Sequence, residues 1–340
     1  AAIYGTAVKN GIQLAVDEIN AAGGINGKQI EYKFEDDQAD SEKSVNAYNT
    51  LKDWGMQALI GTTTSTPCTA VVEETHSDNM FQLTPSATAV DSIQYDNAFR
   101  MCFSDPNQGS ASADYIAENK LATKVAIIYN SSDTYSSGIY QAFATEAKAK
   151  GLDVVAAEAF TADNKTDFSV QIQKAKDAGA ELVFLPIYYQ EASLILAQAN
   201  KAGFTPKWFG CDGMDGILDL DGFDANLAEN LMFLTPFTAN ATDEATQKFV
   251  ADYKEAFGDT PIQFAADAYD CVYAYKAALE ASGATADMSA EELCDKMIEA
   301  FPTLTYDGLT GTGITWDSTG AVSKTPKGMV IKNGAYVGME

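Results

Sequence analysis

Five short polar stretches interrupt the apolar runs of this 340-residue chain, and each carries groups that could hold a small ligand. Gly61–Pro67 (GTTTSTP) and Thr84–Thr88 (TPSAT) offer hydroxyls and backbone N–H groups at expected helix starts, an arrangement suited to a carboxylate. Asn130–Tyr135 (NSSDTY), Ile187–Tyr189 (IYY) and Gly210–Gly213 (GCDG) add aromatics and one carboxylate, Asp212. Hydroxyls from one region facing an acid and tyrosines from another would suit a zwitterion. On spacing alone the plainer reading is favoured: Ser and Thr after strands more often cap helices, and an Asp before Gly is an ordinary turn residue.

Catalytic patterns are missing from the sequence. It contains no GxSxG, no GxxxxGK[ST] and no HExxH. Its single histidine, His76, stands between Thr75 and Ser77 and reads as a surface residue. Gly24–Lys28 (GINGK) precedes a strand pattern instead of a helix, so it reads as a turn and not a phosphate loop. The acids Asp212, Asp215, Asp219, Asp221 and Asp224 do not have the spacing of an EF-hand loop, which disfavours calcium. The reading is of a binding protein, with no cofactor, no metal and no catalytic residue.

These stretches need elements to position them, and the pattern between them alternates. Val8, Ile12, Ala15, Val16 and Ile19 share a helix face that Gly23–Gly24 stops. Ile30, Tyr32 and Phe34 alternate as a strand. Ser41 caps the helix marked by Val45, Tyr48 and Leu51. Met56–Gly61 is a buried strand, and Pro67 suits the first position of the next helix. After Asp105–Pro106 the strand–helix alternation restarts and runs to Leu234. Three helical segments, 242–257, 263–281 and 289–301, then follow, with short strands near Ile314–Trp316 and Met329–Ile331. Continuous apolar strands between amphipathic helices indicate parallel sheets covered on both faces. The expected fold is α/β, with two doubly wound parallel-sheet lobes joined by a three-strand hinge. Lobe 1 takes residues 1–105 and 236–318, and lobe 2 takes 106–235 and 319–340.

Composition narrows the partners. Apolar residues make up 46% and charged residues 21%, ordinary for a packed globular chain. No apolar run approaches the ~18 residues of a membrane span. The formal net charge of −26, from 22 basic and 48 acidic residues, argues against nucleic acid and anionic membrane surfaces as partners.

Taken in order, a set of stretches resembles the type I periplasmic binding proteins that serve branched-chain amino acid ABC transporters. They are Tyr4-Gly5 with Gly11, Ile19–Gly27, Glu35–Asp37, Ile60-Gly61 with Ser65, Thr84–Thr88, Phe99-Arg100, Tyr135, Asp167-Phe168, Gln198-Ala199 with Ala202-Gly203, Ala268–Asp270 and Trp316-Asp317. The resemblance implies roles. Ser65 would bind a ligand carboxylate, with Ser86 and Thr88 binding carboxylate and ammonium. Asp212 would pair with the ammonium, Tyr135 and Tyr188 would close over the ligand, and Tyr4 and Phe264 would shape the side-chain pocket. No basic residue enters this pocket, so neutral hydrophobic amino acids are expected to outcompete Glu and Asp.

The resemblance further implies a monomer that delivers a free amino acid to the membrane permease of an ABC transporter. It would work outside the cytoplasm, in the periplasm or as a lipid-anchored lipoprotein, after a signal peptide is removed. In that oxidising setting, disulfides Cys271–Cys294 and Cys68–Cys102 are expected, with Cys211 left over. Three features depart from the family pattern: its opening strand would precede Ala1, its common disulfide would need Cys near Ala39 and Thr64, and Asp212 is shorter than the usual Glu. The alternatives are a sensory domain of the same fold, or a ligand such as an aromatic amino acid, a small amide or a short aliphatic acid.

Overall fold

The computed structural model describes residues 1–339. The chain folds as two compact units, the first Ala1–Phe103 with Ala241–Thr325, the second Ser104–Asn240 with the chain from Pro326 on. In chain order, the first pass through unit 1 forms α1 (Ala2–Ala21), α2 (Ser41–Trp54), β1 (Ala58–Ile60), α3 (Ser65–Ser77), β2 (Phe81–Thr84) and β3 (Ala98–Arg100). Unit 2 follows with α4 (Asp105–Glu118), β4 (Lys124–Asn130), α5 (Thr134–Ala149), β5 (Asp153–Phe160), α6 (Ser169–Asp177), β6 (Leu182–Leu185), α7 (Tyr189–Lys201), β7 (Lys207–Gly210) and β8 (Met232–Thr235). The chain returns to unit 1 for α8 (Glu244–Phe257), α9 (Gln263–Ser282), α10 (Ala290–Ala300), β9 (Tyr306–Gly308) and β10 (Gly311–Ile314). It ends in unit 2 with β11 (Lys327–Lys332) and β12 (Ala335–Gly338).

In unit 2 seven strands lie in the order β12-β11-β8-β7-β6-β4-β5, parallel from β8 to β5 and antiparallel from β8 through β11 to β12. β6 (LVFL) is buried at every position, as a central parallel strand requires. From β4 the chain steps first to β5 and then across to β6, so the strand order reverses between β4 and β6. The carboxyl ends of strands beside such a reversal are where open α/β sheets bind ligands.

In unit 1, β1, β2 and β3 form a parallel sheet. Phe81 and Phe99 from that sheet pack with Tyr275 of α9, Met297 of α10, Phe301 and Trp316. α1 buries Tyr4, Val8, Gly11, Ile12, Ala15 and Ile19 along one face. It meets α9 at Gly11, where an added Cβ would lie 2.1 Å from the Ala265 carbonyl oxygen. Only glycine fits that crossing. The Gly24–Lys28 stretch is a turn, closed by Ile25 N–H to Lys28 O at 2.8 Å and Lys28 N–H to Ile25 O at 2.9 Å.

Several expectations need correction. Ile30–Phe34 is not a strand: it runs beside no ladder partner, and the Asn20 side chain takes both backbone groups of Ile30, at 2.8 and 2.9 Å. Asp40, and not Ser41, caps α2 by accepting the Lys43 N–H. α3 starts at Ser65, two residues before Pro67. Neither Cys271–Cys294 nor Cys68–Cys102 is bonded. The Cys68 sulfur instead receives a hydrogen bond from Gln82 Nε2 at 3.3 Å, while Cys271 and Cys294 pack as small apolar groups in the unit 1 core. The last crossing comes after Thr325 instead of between residues 318 and 319.

A buried ion pair lies just before that crossing. Lys324 Nζ lies 3.0 Å from Asp267 Oδ1 on α9, with both side chains at most 2% exposed. The same ammonium donates to Thr310 Oγ1 at 2.6 Å, and Thr310 Oγ1 donates to Asp270 Oδ2 at 2.6 Å. Removing one member of such a pair strands the other charge, at a typical cost of ~3–5 kcal/mol. We expect Asp267→Ala to lose stability of that order in urea titrations. Asp267→Leu combined with Lys324→Met should cost less than either single change. Additive losses would show that the two groups do not act as a pair.

Candidate functional site

The residues expected to bind ligand fall into two groups, one in each unit. In unit 2, β4, β6 and β7 end beside the reversal in strand order and are followed by Tyr135 at the start of α5, Tyr188 capping α7, and Asp212. The structure brings these three together. Tyr135 Oη donates to Asp212 Oδ1 at 2.7 Å and accepts the Gly213 N–H at 3.0 Å. The Tyr135 and Tyr188 rings stack with centroids 4.7 Å apart and planes 15° apart. Gly213 is required there, because a Cβ would lie 2.8 Å from Tyr135 Oη and 2.9 Å from Ile187 O.

Asp212 is 4% exposed. Burial pushes its carboxyl up to about 6, against lowering by the Tyr135 hydroxyl, the Gln108 amide and the Gly213 N–H. Gln108, fully buried on α4, also accepts the Asp212 N–H through Oε1 at 3.0 Å. α4 comes close enough to α5 because residue 109 is glycine, where a Cβ would lie 2.6 Å from the Ile139 carbonyl oxygen.

In unit 1, the turn after β1 and the turn after β2 are stitched together. Ser86 Oγ donates to Thr63 O at 2.6 Å, and Thr84 Oγ1 donates to Thr62 O at 2.8 Å. Ser65 Oγ, in the first turn of α3, accepts the Ala89 N–H at 3.2 Å. Thr88 Oγ1 and Thr64 Oγ1 are buried with no hydrogen-bond partner among the described residues. Behind Thr88 lies Arg100 at the end of β3, 4% exposed, donating from Nη1 to Thr88 O at 2.8 Å and to Ala89 O at 3.2 Å. Tyr4 and Phe264 form a second cluster, their rings stacked at 4.2 Å where α1 and α9 begin.

Sequence reasoning did not single out Thr64, Arg100 or Gln108 as site residues. A lone arginine inside an apolar run (AFRMCF) was a usable signal, since a strand that buries every side chain must give such a charge a task. Gln108 carried no comparable signal, because its role depends on a backbone N–H more than a hundred residues away.

Chemically, unit 1 presents donors matched to an anion, and unit 2 presents a desolvated carboxylate walled by aromatic rings. His76 is exposed and stacks on Tyr95 at 3.9 Å. Among the described residues, no cluster of His, Cys, Asp or Glu could hold a metal ion. No helix there is long and apolar enough to cross a membrane.

Comparisons with known proteins agree with one another. The sequence matches the periplasmic binding protein family over residues 1–335. It is 32% identical over 314 residues to Leu/Ile/Val-binding protein homolog 3 of Brucella melitensis, covering 90% of this chain and 83% of that one. The fold superposes with a TM-score of 0.88 on the branched-chain amino acid transporter substrate-binding protein LivJ of Streptococcus pneumoniae in complex with isoleucine, at 30% identity and over 99% of this chain and 94% of that one. The leucine-binding protein LivK of Thermotoga maritima also gives 0.88, at 27% identity, covering 99% and 93%.

The pH dependence of Asp212 can be checked without any ligand. Its folded value of about 6 lies above the usual carboxylate value in an unfolded chain, near 4. The folded state therefore holds the extra proton between those values, and this group's stabilising contribution is lost as pH rises through 6. Asp212→Asn should be more stable than the parent in urea titrations at pH 7.5, by on the order of 3 kcal/mol, and the gap should close by about pH 4. A gap that is constant with pH would sink the assignment.

Proposed function

We propose that this chain, which belongs to the periplasmic binding protein family, captures a free neutral amino acid, branched-chain or otherwise hydrophobic, and hands it to an ABC transporter. The observation that carries this reading is the Asp212 cluster. A buried carboxylate that accepts from the Tyr135 hydroxyl, with Gln108 holding its backbone N–H, the Gly213 N–H donating to the same hydroxyl and stacked tyrosines beside it, is what an ammonium group with an apolar substituent would need. Relatives whose names specify leucine, isoleucine and valine support the choice of ligand class.

In this reading Ser65, Ser86 and Thr88 of unit 1 receive the ligand carboxylate and help seat its ammonium. Asp212 pairs with the ammonium, Tyr135 and Tyr188 cover the ligand, and Tyr4 and Phe264 bound the aliphatic side chain. Hinged closure of the two units would bury the opposite charges together. Each charge compensates the desolvation of the other, which makes the site selective for zwitterions. The protein acts outside the cytoplasm as a monomer, free in the periplasm or lipid-anchored, and its partner is the membrane permease. It performs no chemical step on the ligand.

Truncating one side of a buried charge pair costs ~3–5 kcal/mol, roughly two to three and a half decades of affinity. Calorimetry should therefore show Asp212→Ala losing isoleucine or leucine affinity by a hundredfold or more. Asp212→Asn should be intermediate, and Asp163→Ala, on the exposed stretch after β5, unchanged. Glutamate should bind the parent protein less tightly than leucine. If Asp212→Ala keeps affinity within about threefold, or glutamate is preferred, this reading fails. Mass spectrometry of ligand released from the denatured protein would identify the amino acid directly.

A further inference from the structure

Arg100 is a buried cation with no ion-pair partner among the described residues. Its guanidinium is 4% exposed, and among the described residues no carboxylate lies within ion-pair distance. Acids are plentiful in a chain of 48 acidic residues. The fold also shows how it treats its other buried cation, since Lys324 is given Asp267. Asp317 feels the Arg100 charge, but its carboxyl is lowered first by the Thr319 hydroxyl, with Arg100 the last of the contributors. A buried charge left without a counter-ion is costly, so the position of Arg100 calls for an explanation in the ligand it serves.

The hydrogen bonds around it form a directed chain. Arg100 Nη1 donates to the carbonyl oxygen of Thr88 at 2.8 Å. The N–H of that same peptide unit belongs to Ala89, and it donates to Ser65 Oγ at 3.2 Å. With an acceptor site of Ser65 Oγ so occupied, its proton remains to be given, and no acceptor for it is found among the described residues. Arg100 Nε, Thr88 Oγ1 and Thr64 Oγ1 are likewise buried without partners. A cation at one end of a hydrogen-bond chain polarises each link and makes the terminal hydroxyl a stronger donor. Its natural acceptor is an anion.

We propose that Arg100 is a positioning residue for anion capture: through the Thr88–Ala89 peptide it polarises the Ser65 hydroxyl toward a ligand carboxylate and supplies the charge that balances that carboxylate. This rests on the amino-acid reading above and adds to it the source of the positive potential in unit 1. The guanidinium need not touch the ligand. It acts through a fixed peptide and remains in place when the site is empty, so no reorganisation is needed when the anion arrives.

The test is a double-mutant cycle read by calorimetry with isoleucine, using Arg100→Gln, Ser65→Ala and the double variant. Glutamine keeps an amide donor for the Thr88 carbonyl and removes the charge. Arg100→Gln is expected to fold, as judged by circular dichroism and melting temperature, and to bind isoleucine ten- to a hundredfold more weakly. Because the effect travels through Ser65, the double variant should bind within about threefold of Ser65→Ala alone. A merely structural arginine would give losses that multiply. Multiplied losses, or an Arg100→Gln protein within threefold of the parent, overturn the proposal.

If Arg100→Gln does not fold, Arg100→Lys decides. It keeps the charge and should stay within about threefold of the parent, and a tenfold loss there overturns the proposal. If the parent binds isoleucine and Asp212→Ala destroys that binding while Arg100→Gln changes nothing, the functional reading stands and this inference alone falls. A parent protein that binds no amino acid removes both.

Discussion

The demanding constraint in this molecule is a carboxylate kept from water. Asp212 is nearly inaccessible, and charging it there is opposed by desolvation. The Tyr135 phenol that donates to it is neutral, so it softens the penalty without cancelling it. On the function proposed above, an incoming ammonium would relieve that penalty. Much of unit 2 serves that end. β7 stops at Gly210 to release the turn, α5 begins where Tyr135 reaches the acid, and α4 runs behind with Gln108 holding the backbone.

Close approach, more than any strong single bond, makes this possible. Gly109 lets α4 settle against α5, and Gly213 lets the turn settle beneath two tyrosine rings. In unit 1, Gly11 performs the same service between α1 and α9, and the stacked rings of Tyr4 and Phe264 lie at the start of those two helices. Interiors packed at crystal-like density leave no room for a methyl group at such points. The side chains of the candidate site are thus held by the absence of side chains elsewhere.

Where a residue's environment is set by its near neighbours in sequence, its place was legible. The runs VFL in β6 and AII in β4 could only be buried parallel strands, and the polar turns after them had to lie at strand ends. The candidate residues Tyr135, Tyr188 and Asp212 could be singled out because each follows such a strand, resemblance to the family suggested their roles, and the structure brings the three together. Ile30–Phe34 misled because alternation describes a side-chain pattern and says nothing about whether a neighbouring strand exists to complete the ladder. The cysteines misled for a related reason: sharing a unit does not bring sulfur atoms face to face. Lys324 and Arg100 were opaque because a buried charge is defined by what surrounds it in space. One has its carboxylate partner 57 residues away, and the other has no carboxylate within ion-pair distance among the described residues.

Trp316 gives the Arg100 arrangement an optical side. Its indole Nε1–H donates to the Arg100 carbonyl oxygen at 2.8 Å, and the ring packs edge-on against Phe301 in the dry core of unit 1. Indole emission responds to the electric field along the ring and to the strength of its N–H hydrogen bond. This chromophore is bonded to the very residue whose side chain grips the Thr88–Ala89 peptide. Trp54, by contrast, is 44% exposed on α2 and open to collisional quenchers. With acrylamide suppressing the exposed indole and phenylalanine replacing Trp208, which is also buried on β7 of unit 2, Trp316 becomes an internal spectroscopic gauge of charge arriving at the unit 1 turns, and no dye need be attached.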